Sequence, residues 1–180
     1  MIQAEPLAVL TLSADAFAPY GWMLGKDFKL ETAIAGFTNS ATDFWQEHIF
    51  DPGQSGQTEV LWVNYRSQAE VSMLEVHRLT EQAIVPLTGT VLHIVGLSLP
   101  TGEPDLNSLK AFRVNPGQGI CMRPDCWHAS RVESEQVTCL MLTRSTTTME
   151  LVAHMTHGAP AKESALEAIA PRRLVSNAHP

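Results

Sequence analysis

Basic side chains are scarce in this chain: 12 Lys and Arg stand against 19 Asp and Glu among 180 residues, a formal net charge of -7. Nucleic acids and anionic membrane surfaces are held by clustered Lys and Arg, and the pair Arg172-Arg173 is too short to make a cluster. The composition speaks against both partners and leaves single arginines to hold a small anion. Cysteine is rarer still. Cys121, Cys126 and Cys139 are odd in number and form no C-x-x-C pair, so neither a disulfide framework nor a zinc ribbon is indicated, and buried thiols in a reducing compartment are expected. Long hydrophobic runs are missing too. The longest apolar stretch, Val91 to Leu99, is interrupted by His93 and is too short for a bilayer span. The first residues contain Glu5 and no basic region ahead of an apolar one, so no secretory signal is expected and the protein is read as soluble and cytoplasmic.

What the chain does have is punctuation. Its 44% hydrophobic residues are divided by 11 Gly and 11 Pro into short runs, the pattern of a mainly β domain with a few short helices. Strands are expected over Leu7–Leu12, Val60–Arg66, Val71–His77, Ala83–Leu87, Thr90–Leu99, Leu109–Val114, Ile120–Met122 and Val137–Thr143, with an edge strand over Glu150–His154. A short helix is expected after Ser13. One domain is drawn over residues 1–158. Residues 159–180, rich in Ala, Pro and charge, read as a partly mobile tail with a turn or two of helix over Glu163–Ile169.

Within that pattern Glu75 and His77 stand two residues apart in a strand, so both point to one side. If that side is a barrel interior, a carboxylate and an imidazole must share it, which is costly unless they bind a cation, a polar ligand or each other. Asn64 and Arg66 share a face with Trp62, and periodicity alone leaves open whether this is a site face or an exposed one. His93 shares a face with Val91 and Val95 and reads as a hydrogen-bonded core histidine. The irregular segment Arg123–His128 delivers Trp127 and His128 close together. A closed antiparallel barrel can bring the cluster at Glu75, His77 and Gln82 to the same mouth as His128.

These residues carry a resemblance. Glu75-x-His77, Gln82, Gly89 and the later His128 resemble the two motifs of a cupin, with Glu75 at the position of the first His and Gln82 at that of the Glu. The fuller pattern is Glu75-x-His77, Gln82-Ala83-x-x-Pro86-Leu87-x-Gly89, Pro104-Asp105-Leu106-x-x-Leu109-x-Ala111-Phe112, Gly119 and Trp127-His128. It is similar to the ureidoglycolate lyases, formerly called ureidoglycolate hydrolases. The similarity runs from about Phe17 to Arg144, and Asn64 and Arg66 fall where that family has an Asn and an Arg. The resemblance implies a jelly-roll-like cupin barrel and a cytoplasmic homodimer. It also implies cleavage of ureidoglycolate to glyoxylate and urea in allantoin (purine) catabolism. Two departures stand out. The family's Tyr-His-Arg-Gly-x-Trp-His-His-Pro is replaced by Met122 to Ser130, and its Asp-Arg-Gly-Gly by Thr143-Arg144-Ser145-Thr146.

For such a reaction His77, His128 and Glu75 are the candidate catalytic groups. Arg66, Arg123 or Arg144 would clamp the substrate carboxylate together with Asn64, and Trp127 would form an apolar wall. Glu75, His77, Gln82 and His128 are also the candidate ligands of one divalent ion, Ni, Zn, Fe or Mn; the other reading is a metal-free site in which Gln82 only hydrogen-bonds. Glu81 is expected to be peripheral. Another metal-dependent cupin acting on a small carboxylate, an isomerase or dioxygenase, and a cupin that only binds a small acid are the alternative functions.

Overall fold

The computed structural model describes residues 4–29 and 35–176. In chain order, β1 (Glu5–Thr11) leads through a one-turn helix α1 (Ala14–Phe17) to β2 (Gly21–Leu24) and to a small hairpin, β3 (Gly36–Thr38) and β4 (Asp43–Trp45). Then come β5 (Thr58–Arg66), β6 (Glu70–His77), β7 (Gln82–Pro86), β8 (Val91–Gly96), β9 (Lys110–Val114), β10 (Gly119–Met122), β11 (Trp127–Val132) and β12 (Gln136–Arg144). A helix α2 (Ser145–His157) and a last strand β13 (Ser164–Ser176) complete the described chain. Ser13 caps α1 by accepting the Ala16 N–H at 3.3 Å, as its position before the helix led one to expect. The expected strands between Val60 and Thr143 are all strands, and the mainly β class with a closed barrel and few helices holds.

Six strands close on themselves in the order β1-β13-β6-β11-β8-β9, and five form a second sheet, β2-β10-β7-β12-β5. Alternation along each strand then builds two cores. Val91 and Val95 of β8, Phe112 of β9 and Val132 of β11 face Ile84, Ile120, Met122, Val137 and Cys139 of the second sheet. On the other face of the closed sheet, Val76, Leu92, Ile94, Ala111 and Trp127 pack among themselves inside the six-stranded barrel. Within the second sheet, β2 and β10 come close because a side chain is absent: a Cβ on Gly21 would lie 1.9 Å from the Cys121 carbonyl oxygen.

Two expectations are corrected. The segment expected as an edge strand over Glu150–His154 lies inside α2, which ends at Gly158 with φ of 66° and its N–H on the His154 carbonyl. A run of Met, Glu, Leu and Ala followed by Gly is a helix with its C-terminal stop. The helix expected over Glu163–Ile169, in what was read as a tail, is instead strand. β13 runs antiparallel to β6 and parallel to β1, with a register shift between Ala168 and Arg172 that spans Pro171. Local preference gives way here because β1 and β6 would otherwise leave unpaired edges, and β13 supplies both with partners. The stretch 30–34 and the ends, 1–3 and 177–180, lie outside the described residues.

Candidate active site

Pairing brings the two halves of the site together. His128 of β11 stands directly opposite Glu75 of β6, and His128 Nε2 is 3.0 Å from Glu75 Oε1. His77, two residues along β6, places its Nε2 3.9 Å from the same oxygen. Gln82 opens β7 and donates from Nε2 to His77 Nε2 at 2.9 Å. On the far side of that ring, Nδ1 meets Ser164 Oγ of β13 at 3.0 Å. The presumed tail thus orients a site histidine.

Hydrogen-bond accounting assigns the proton on His128. Its Nδ1 faces the Cys126 carbonyl at 2.9 Å, and a carbonyl only accepts, so Nδ1 carries hydrogen. Its Nε2 faces a carboxylate, which when ionised also only accepts. The contact with ionised Glu75 is then a hydrogen bond donated from His128 Nε2. Burial alone would raise the Glu75 pKa, but the His128 hydrogen bond and the imidazoles of His128, His77 and His93 outweigh it and hold the group at about 2. Burial, and then the His128 charge, lower His77 to about 4 against the pull of Glu75. His93, fully buried and stacked on His128 with centroids 5.7 Å apart, is lowered to about 3 by the same causes. It is the satisfied core histidine expected, bonded to Ser130 Oγ at 2.9 Å.

A pH dependence follows. In the metal-free chain His77 and His93 are neutral when folded and protonate near pH 6.5 when unfolded, so the unfolded state binds more protons as pH falls. Stability is complete above pH 6.5 and declines as pH drops towards 4 for His77 and towards 3 for His93. Each contributes a slope of about 1.4 kcal/mol per pH unit in that window. Glu75 has the opposite origin but the same sign, stabilising above about pH 4.5 and ceasing to do so as pH falls to about 2. Urea unfolding of chelator-treated protein at pH 7.5 and 5.0 measures the slope, and His93→Asn is expected to remove one part of it. Equal stability at the two pH values would contradict the neutral-histidine assignment.

Two cavities meet at Glu75. The outer one, about 420 Å³, is lined by Asn64, Tyr65, Arg66, His128, Ser130 and Arg131 among others. The inner one, about 270 Å³, lies beneath α2 and is walled by Leu61, Val63, Met141 and Leu151, with His77, Gln82 and Thr143 as polar members. Tyr65 and Glu75 line both, and the 31% exposure of the Glu75 side chain is into this space. Gln82 Oε1 and Thr143 Oγ1 are buried on the inner cavity without hydrogen-bond partners. Such orphans are costly unless a ligand satisfies them.

Among the residues anticipated for the site, Glu75, His77, Gln82 and His128 converge. Asn64 and Arg66 lie on the exposed face of β5 but reach the rim of the outer cavity. The other three are elsewhere. Trp127 precedes His128 by one residue, so it points to the opposite face of the closed sheet and is 2% exposed within the barrel core. Arg123 lies over the Trp22 ring at 4.5 Å and donates to the Ala18 carbonyl. Arg144 donates to the carbonyls of Pro52 and Gln54 at 3.1 Å each and pairs with Glu163 at 3.4 Å. Both arginines tie loops in place. Four residues not singled out from sequence join the site: Tyr65, Ser130, Arg131 and Ser164. Ser130 was within reach of the strand periodicity, two residues beyond His128; Tyr65 and Ser164 carried no signal.

The donor set fits a divalent ion. Glu75, His77 and His128 offer ligand atoms within 4.8 Å of one another. The Cys126 carbonyl and Ser164 face the two Nδ1 atoms, so both Nε2 atoms point into the site, where an ion would replace the contacts they make with Gln82 and Glu75.

A curated ureidoglycolate lyase of Escherichia coli (strain K12 / DH10B) is 28% identical over 139 residues, covering 73% of this chain and 82% of the relative, and one from Shigella boydii serotype 18 matches equally. Among solved structures, RmlC from Streptococcus suis in complex with dTDP-D-xylose aligns with a TM-score of 0.45 at 12% identity, over 79% of this chain and 73% of that one. Bacillus subtilis oxalate decarboxylase, a protein with Mn(II) centers, aligns with a TM-score of 0.39 at 11% identity, over 66% of this chain and 34% of that one. The profile of the family described as ureidoglycolate lyase matches residues 4–158; the chain belongs to that family.

Proposed function

We propose that this chain is a ureidoglycolate lyase that releases glyoxylate and urea, acting in allantoin catabolism as a cytoplasmic homodimer. The observation that carries the reading is the Glu75–His128 pair at the junction of two cavities of unlike chemistry. The substrate is bifunctional in the same sense, with a carboxylate at one end, a ureido group at the other and a carbinol carbon between.

The outer cavity suits the carboxylate. Arg66 and Arg131 line it, and among the described residues neither meets a carboxylate at ion-pair distance. Arg131 is held by the Glu70 and Ser130 carbonyls, which orients a guanidinium for a planar anion. The inner cavity suits the ureido group, since Gln82 Oε1 would accept from an N–H and Thr143 Oγ1 would donate to the carbonyl or accept. Glu75 then lies beside the carbinol.

In the reaction Glu75 takes the carbinol O–H proton as the C–N bond breaks and the aldehyde carbonyl forms. The electron pair of that bond goes to the leaving nitrogen, which receives the proton on His128 Nε2. Transfer from Glu75 to His128 at 3.0 Å restores both groups. A divalent ion bound at Glu75, His77 and His128 would supply Lewis-acid polarisation of the carbinol oxygen.

Incubation of the purified chain with each enantiomer of ureidoglycolate, with and without chelator or added divalent ions, tests the reading through glyoxylate release. No release under any of these conditions overturns it. Arg131→Ala is expected to raise KM by about 10- to 100-fold with little change in kcat, the cost of one lost charged hydrogen-bond pair. An unchanged KM would remove Arg131 from the clamp.

A further inference from the structure

A second cluster lies on the other side of β7. Gln82 and Ile84 face the interior, so Glu81 and Ala83 face away from it. Cys121 of β10 pairs with Ala83, while its neighbours Ile120 and Met122 belong to the core between the sheets. Cys121 therefore points outward, yet it is 1% exposed. The cover is the segment 46–51, whose Glu47, His48 and Phe50 enclose, with Leu24, Ala83, Cys121 and Leu142, a cavity of about 130 Å³.

We propose that His48 Nε2, the Glu81 carboxylate and Cys121 Sγ form a second divalent-metal site, zinc by its donor set, that fastens the segment 46–51 to the outer face of the five-stranded sheet. The three donors lie within 4.8 Å of one another. His48 Nε2 is 2.8 Å and Cys121 Sγ 3.6 Å from Glu81 Oε2, and the Asp51 N–H donates to the same oxygen at 2.9 Å. Ligands of a tetrahedral zinc, with bonds of about 2.0–2.3 Å, stand roughly 3.3–3.8 Å apart. Cys121 and Glu81 already have that separation, and His48 reaches it by moving about half an ångström. Its ring is guided by stacking on Trp22 at 4.2 Å.

The local charge points the same way. Glu81 is 5% exposed, and Glu47 lines the cavity with a buried Oε2 that has no hydrogen-bond partner and meets only the Lys26 ammonium, at 3.4 Å. Glu47 is balanced by Lys26 and accepts from the Trp45 indole at 2.6 Å. The buried Glu81 carboxylate beside the thiol, by contrast, meets no Lys or Arg at ion-pair distance among the described residues, and a cation would neutralise it. Imidazole, thiolate and carboxylate together select zinc over magnesium or calcium, and Glu47 or a water completes four ligands. Coordination requires the thiol to lose its proton to solvent as the metal enters. Because Glu81 precedes Gln82, the ion would also hold the first residue of β7 from behind, outside the reacting atoms.

Cobalt(II) substitution tests the site without reference to activity. The chain, stripped with chelator and titrated with Co(II), is expected to develop a thiolate-to-cobalt charge-transfer band and intense visible absorption of tetrahedral type. Cys121→Ser should abolish the charge-transfer band. His48→Gln, on a covering segment outside the sheets, should weaken Co(II) binding at least tenfold with the circular dichroism unchanged. Cys126→Ser, Cys139→Ser and His128→Asn should all retain the band. No charge-transfer band in the unsubstituted chain, or a band that survives Cys121→Ser, overturns the proposal. Failure here leaves glyoxylate release untouched, and failure of the lyase reading leaves this site untouched.

Discussion

Glu75→Gln is expected to lower kcat for glyoxylate release by about 10²- to 10⁴-fold, the range lost with a general base, while KM changes only severalfold. The amide keeps the shape of the carboxylate but has neither its charge nor a basic oxygen at neutral pH. It also removes the carboxylate that His128 Nε2 faces at 3.0 Å, so the group that delivers a proton to the leaving nitrogen loses its partner as the base is lost. Folding should survive, since Glu75 lies at a cavity and not within a packed core. Single-turnover kinetics with saturating substrate separates the chemical step from binding. A kcat within threefold of the parent would show that the proton is taken elsewhere, with His77, neutral at pH 7, next in line.

The second large effect concerns stability. Trp127→Ala should destabilise the fold by about 3–5 kcal/mol, because it empties a large side chain from the core inside the six-stranded barrel. Trp127→Phe should recover most of this. The indole Nε1 is buried without a hydrogen-bond partner, so its removal costs little beyond volume. Urea unfolding measures both variants, and kcat/KM per folded molecule should stay within threefold of the parent. If Trp127→Phe instead raised KM with stability unchanged, Trp127 would belong to the substrate pocket after all.

The two residues behind these predictions are neighbours of His128, one across the sheet and one along the strand, and they show how far periodicity carries. Alternation along β6 put Glu75 and His77 on one side, and the same rule applied to Trp127-His128 separates that pair onto opposite faces. The motif resemblance marked Gln82 as a candidate site residue, and its Oε1 lies buried and without a hydrogen-bond partner on the inner cavity. Periodicity could not tell inside from outside for Trp62, Asn64 and Arg66, which lie on the exposed face of β5. That outcome depends on which face the opposing sheet covers. The arginines were legible as charges but not as positions: Arg123 and Arg144 satisfy loop carbonyls, whereas Arg131 lines the cavity. Glu81, expected to be peripheral, is buried and bonded on the reverse of β7 because a loop distant in sequence covers it.

By itself the sequence determined the mainly β character, the punctuation of the strands, the family and the four residues that converge at the site. Each of these follows from local spacing, residue chemistry or motif. Only the tertiary structure decided that β13 completes the barrel and supplies Ser164 to His77, that α2 roofs the inner cavity, and that Trp127 is core. Strand pairing and the choice of buried face depend on partners tens of residues away, and a single strand's alternation is the same whichever of its faces those partners cover.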